Sequence, residues 1–209
     1  MPASPDSRQR RAQRLALAGI VGPVAFGLAA VVGGAIESGY SPVHSYISEL
    51  AAEGSGVRVL MTTGFLVLGL CIVVFAYALR VLRPAAVLLV LVVALSGVGT
   101  LMAGTFSCDE GCPTKGQTST HQDLHNVSSV ITFSSWIIAP LVAARQLRGT
   151  RYALVSLALG AGALVVGLLL GSFADHAPDD PVGALQRAEL LVVGVWFVVT
   201  TFELRSSPA

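Results

Sequence analysis

Charge is scarce in this chain. Only 12% of its 209 residues are charged, where a soluble domain usually carries roughly 25%. The formal net charge is +1 and no basic stripe interleaves with aromatics, so nucleic acid is not an expected partner. Lysine is almost missing, since Lys115 is the only one. No GxSxG or HExxH run occurs, so no complete catalytic signature is present. No internal repeat occurs either, which argues against an inverted-repeat transporter. The excess of Arg over Lys, with abundant Ala, Val, Leu and Gly, points to a high-GC bacterial genome.

Apolar sequence is plentiful: 54% of residues are hydrophobic and the mean hydropathy is +0.74. A helix needs roughly 20 mostly apolar residues to cross roughly 30 Å of hydrocarbon. Six segments meet or approach that length: 15–36, 59–79, 84–106, 127–144, 152–173 and 182–203. The last is purely apolar only over 190–202, so it has to carry Gln186, Arg187 and Glu189 into its first turns. The expected fold is therefore all-α, a six-helix transmembrane bundle in one domain over 15–205. Residues 1–14 are polar and read as a disordered tail.

Orientation follows from the arginines. With the N-terminus in the cytoplasm, the inner segments hold Arg8, Arg10, Arg11, Arg14, Arg80, Arg83, Arg145, Arg148, Arg151 and Arg205, whereas the outer ones hold only Arg58, Lys115 and Arg187. Basic residues near helix ends stay cytoplasmic during insertion. Both termini are thus expected inside a bacterial cytoplasmic membrane, with three hairpins opening outward. Arg8–Arg14 followed by an apolar run also resembles a signal peptide. The run is longer than a signal h-region, and keeping it gives a consistent even topology.

The first outer loop carries a helix pattern. Ser41-Pro42 supplies an N-cap and a proline at the first helical position, and Gly54 can close the end. Val43, Ile47, Leu50 and Ala51 share one face, which predicts a short amphipathic helix on the outer membrane surface or a lid over the bundle.

All four histidines, His44, His121, His125 and His176, fall on the expected outer side, together with Glu49, Asp109, Asp123 and Asp175. His121 and His125 are an i,i+4 pair, a spacing from which two imidazoles reach one divalent metal such as zinc; hydrogen-bonded interfacial histidines are the alternative. Cys108 and Cys112 frame CDEGC and suit a local disulfide outside the cytoplasm, or zinc together with the two histidines. Arg187, beside Gln186, either snorkels to the headgroups, clamps a lipid phosphate or pairs with an acid such as Asp109.

Three blocks carry a resemblance: SYISELAAEGSGVRVLMTTGFLVLG, GTFSCDEGCP…HQDLHNVSSVITF and GALQRAELLVVGVWF. They are similar to bacterial membrane proteins of domain-of-unknown-function family 998. The resemblance points to Asp109 and His125 in the middle block and to Gln186 and Arg187 in the last. A polar segment before the second helix and a His opening the fourth also resemble, distantly, the Frag1/DRAM/Sfk1 group linked to membrane lipid organisation.

Three functions follow as expectations. One is a hydrolase or transferase acting on lipid or lipid-linked substrates, with His125, Asp109, Glu49, Ser48 and His176 catalytic, Ser45 a further candidate nucleophile, and Arg187 and Gln186 binding substrate. The second is a non-catalytic lipid-binding or accessory protein. A transporter comes third, because the helix middles hold hardly any ionisable residue. Convergence of His125, Asp109 and Arg187 on one outward pocket would favour the enzyme, and their dispersal would disfavour it.

Overall fold

The computed structural model describes residues 5–148, 151–173 and 177–206. Seven α-helices follow one another: α1 Pro5–Leu15, α2 Ala18–Ile36, α3 Arg58–Leu82, α4 Val87–Thr105, α5 Thr120–Gln146, α6 Arg151–Ser172 and α7 Val182–Ser206. A short 3-10 helix, Ile47–Ala51, interrupts the loop between α2 and α3. No strand occurs among the described residues. Six helical stretches are long and apolar enough to cross a membrane, the first running from Ser7 to Ile36.

The helices α2 to α7 form a closed ring. Each packs on its sequence neighbour, and α7 returns against α2. The short connections force this for α3–α4 and α5–α6, because a few residues can only join antiparallel neighbours. The α3–α4 pair is the tightest. A Cβ on Gly69 would lie 2.9 Å from the Gly97 carbonyl oxygen, and one on Gly97 3.1 Å from that of Gly69, so two bare backbones meet there. Phe26, Met61, Leu68, Ile72, Phe75 and Trp196 fill the interior. The outer surface is apolar as well. Val59 is 81% exposed, Leu154 72% and Val31 71%, which makes physical sense only against lipid tails.

Two expectations need correction. Pro5–Leu15 is helical rather than a disordered tail. Ala12 and Ala16 are buried, and the Ala16 carbonyl accepts from the Thr201 hydroxyl of α7 at 3.0 Å. Polar composition hid a helix that is held by packing on α3 and α7. In the first long loop the helix begins at Ile47, not at Ser41, and does not lie on the surface. Ile47, Ser48, Leu50 and Ala51 are all buried. The 3-10 helix sits over the ring between α2, α3 and α7 and closes its long-loop end as a cap.

Candidate functional site

The cap is held chiefly by the first two turns of α7. Gly183 is obligatory there, because a Cβ would collide with the Ser45 carbonyl oxygen and sit 2.8 Å from that of Pro42. The orphan N–H of Ala184, which a helix start leaves without an intrahelical partner, donates to the Val43 carbonyl at 3.0 Å. Gln186 Oε1 accepts from the Ile47 N–H at 2.5 Å. Arg187 donates to the Pro42 carbonyl at 2.7 Å and the Gly183 carbonyl at 3.0 Å, and its other terminal nitrogen donates to the Tyr40 hydroxyl. Burial raises the pKa of that hydroxyl, so Tyr40 stays a donor and reaches the Tyr46 carbonyl at 3.2 Å. Arg187 is therefore neither a snorkelling residue nor the partner of an acid. It ties the cap to α7.

The second long loop folds back on α5. Asp109 accepts from the Ser119 hydroxyl at 2.6 Å and the Ser119 N–H at 2.9 Å. Those hydrogen bonds, the Ser119 hydroxyl first, hold its carboxyl below the usual Asp range. Ser119 in turn N-caps α5 by accepting from the Gln122 N–H, and the Asp109 N–H donates to Gln122 Oε1 at 2.7 Å. Asp109 thus locks a helix entrance. Cys108 and Cys112 are joined by a disulfide and pack with Ala52 and Tyr46. The Glu53 N–H donates to the Cys108 carbonyl at 3.1 Å, which couples the two loops.

The remaining candidates separate. Glu49 accepts from the Tyr46 N–H at 2.7 Å and belongs to a shallow depression with Glu37, Glu53 and Glu110. His121 is exposed, its ring edge-on to Phe106 with centroids 5.7 Å apart. His125, one turn on, is buried. Their i,i+4 spacing therefore leaves them in different surroundings, one in solvent and one in the ring. No group of three or more His, Cys, Asp or Glu is placed to hold a metal ion among the described residues, so the expected zinc pair has no third ligand there. His44 Nδ1 lies 3.3 Å from the Asp180 carbonyl. His176 lies outside the described residues.

Three candidates do come together: Ser48, His125 and Gln186. They line a small cavity of about 30 Å³ inside the ring, beneath the cap, bounded also by Thr100, Thr132 and Trp136. The same three line a much larger cleft of about 490 Å³ on the flank between α5 and α6. His125 Nδ1 lies 2.9 Å from the Phe106 carbonyl and 3.2 Å from the Ala103 carbonyl. Carbonyls only accept, so Nδ1 carries the proton and Nε2 is left as an acceptor.

The cleft opens where the last turn of α6 stands clear of its neighbours, at Gly171. Its buried residues, Tyr152, Ala153, Ser156, Gly160 and Ala163, extend no further than Ala163. A Cβ at Gly160 would lie 2.6 Å from Leu141 and one at Gly167 2.6 Å from Ile137, whereas one at Gly171 would meet nothing within 4 Å. Gly167, Leu170 and Gly171 line the cleft across from Val130, Phe133 and Ile137. Polar groups crowd the capped end of the cleft, at Ser48, His125, Asn126, Ser129 and Gln186.

One residue escaped the sequence reading. Glu189, taken for part of a polar outer turn, is fully buried, and neither carboxyl oxygen has a partner among the described residues. It lies behind the cleft wall, Oε2 being 4.0 Å from where a Gly167 Cβ would be. Thr132 Oγ1 and Trp136 Nε1 are likewise buried without partners. Nothing in the spacing of α7 distinguishes Glu189 from a surface glutamate, and only packing against α6 reveals it.

Six apolar crossings in a capped ring, cleft on one flank, define a multi-pass helical membrane protein. The chain belongs to the family described as protein of unknown function DUF998, whose model matches residues 20–203. No curated protein and no solved structure matches the chain.

Proposed function

We propose that the protein binds an amphipathic membrane lipid without chemically altering it, the lipid's polar group lying at Ser48, His125, Asn126, Ser129 and Gln186 and its chain running down the α5–α6 cleft. The observation that carries this is the cleft's polarity gradient: polar at the capped end, apolar along Val130, Phe133, Ile137 and Leu170, and open sideways where the surrounding surface is lipid-facing. Ligand sites of this kind are mostly apolar with a few convergent polar groups. By the arginine distribution the capped end lies outside a bacterial cytoplasmic membrane, both termini lie inside, and the lipid comes from the outer leaflet. The exterior also suits the Cys108–Cys112 disulfide, and the distant likeness to the Frag1/DRAM/Sfk1 group points towards lipid as well.

A hydrolase or transferase is the second reading, favoured by His125 and Ser48 lining the same two cavities. It lacks an acid, because Asp109 and Glu49 are spent on backbone and hydroxyl donors away from His125. Dispersal of Asp109 and Arg187 from that pocket is the outcome expected of a binding protein. Transport rests on Glu189 alone.

The test is native mass spectrometry of the full chain released from nanodiscs of bacterial phospholipid, beside Gly171→Trp, which fills the cleft mouth. Retained lipid should fall about tenfold or more in the variant. Equal retention would remove the cleft from the account, and a new lipid product on incubation would favour the enzyme.

A further inference from the structure

A second groove lies at the opposite, short-loop end. Arg145 in the last turn of α5, Arg148 just beyond it and Arg151 at the start of α6 border a groove of about 690 Å³. The rest of its lining is Leu141, Ala144, Ala153, Leu154 and Leu157. No carboxylate belongs to the groove, and the ion pair that joins Arg83 to Glu203, 3.9 Å apart, involves none of its arginines. All three arginines are exposed. Leu154 and Leu157, three residues apart on α6, are 72% and 52% exposed, so an apolar wall descends from the cationic rim. The N-terminal end of α6 adds the positive pole of its helix dipole.

We infer that this groove binds an anionic phospholipid, its phosphate held by Arg145, Arg148 and Arg151 and an acyl chain lying along Leu141, Leu154 and Leu157. Insertion rules require basic residues at this end but do not require three of them around one apolar trough. A guanidinium offers paired donors that match phosphate oxygens, and basic pockets between membrane helices suit anionic headgroups. Charge complementarity selects the occupant. A zwitterionic lipid gains little from three cations, and a free anion gains nothing from the leucines. The site is separate from the α5–α6 cleft and does not depend on it.

The experiment uses the full chain in phosphatidylcholine nanodiscs containing a minor fraction of phosphatidylglycerol, with lipid retention read by native mass spectrometry. The triple variant Arg145→Gln, Arg148→Gln, Arg151→Gln is compared with Arg8→Gln, Arg10→Gln, Arg11→Gln, which removes equal charge from exposed positions of α1. At about fivefold per arginine, the groove triple should lose phosphatidylglycerol roughly a hundredfold, while the α1 triple keeps it. Leu154→Trp, which fills the trough and keeps every arginine, should also lose it, so the outcome stands even if the groove triple fails to fold. Equal losses in both triples, or full retention in Leu154→Trp, would overturn the site. Displacement of the lipid by millimolar inorganic phosphate alone would overturn the lipid as its occupant.

Discussion

The Arg187 guanidinium lies 5.5 Å from the centre of the Tyr40 ring while donating to the same residue's hydroxyl. One side chain thereby joins the start of the α2–α3 loop to α7, and the two carbonyls it also holds leave it few donors for anything else.

Arg187→Lys should loosen the cap. A lysine keeps the charge but has neither the planar fork nor the reach for three separate acceptors. The expected cost is about 1–3 kcal/mol, seen as a lower melting temperature with faster amide exchange at Val43–Ile47. An unchanged melt would mean that the fork is redundant.

Glu189→Leu should stabilise the protein. A buried carboxyl with no partner carries a desolvation cost of about 1–3 kcal/mol, and leucine removes it at similar volume. Glu189→Gln, which stays polar, should gain less. A clear loss of stability in the leucine variant would reveal a partner, such as water or a ligand amine, behind Gly167.

Gly160→Leu and Gly171→Leu should behave differently. The first drives a side chain into Leu141 and should cost several kcal/mol or prevent folding. The second enters open space and should leave the melt within about 0.5 kcal/mol. Similar effects would mean that α6 does not part from the bundle at its last turn.

The α5 entrance should loosen in acid. Hydrogen bonds depress the Asp109 pKa in the folded state, so their stabilisation is complete above the unfolded Asp value of about 3.9 and is lost as pH falls through the lower folded value. Amide exchange at Ser119 should therefore quicken below that window in the wild type. In Asp109→Asn it should already be fast at neutral pH.

Orientation is open to a direct measurement. Lys115 is the single lysine and is exposed in the second long loop. A membrane-impermeant amine reagent should label it in intact cells. Labelling only after lysis would reverse the proposed topology and take the outer-leaflet lipid with it.

The starts of α5 and α7 show where reading the sequence succeeded and where it stopped. Val182 begins α7 as the apolar count requires, because a segment apolar only over 190–202 is too short to span. By contrast α5 begins at Thr120, seven residues before the apolar run, since Ser119 and Asp109 cap it through a contact ten residues apart in the chain. The blocks that carried the family likeness did mark important positions, but their roles had to be learned from contacts. Gly183, Gln186 and Arg187 serve the cap, and Asp109 serves the loop.

Hydropathy over runs of about twenty residues depends on composition alone, so the six crossings and their all-helical character were fixed before folding entered. Which polar residues meet is a different matter, because it depends on how far each helix rotates and where it separates from its neighbours. Only the folded ring brought Ser48, His125 and Gln186 to one cleft, turned Arg187 towards backbone carbonyls and left the Glu189 carboxyl without a partner among the described residues. Those outcomes rest on close approaches such as Gly183 to Ser45 and on the parting of α6 beyond Gly167, which no local pattern encodes.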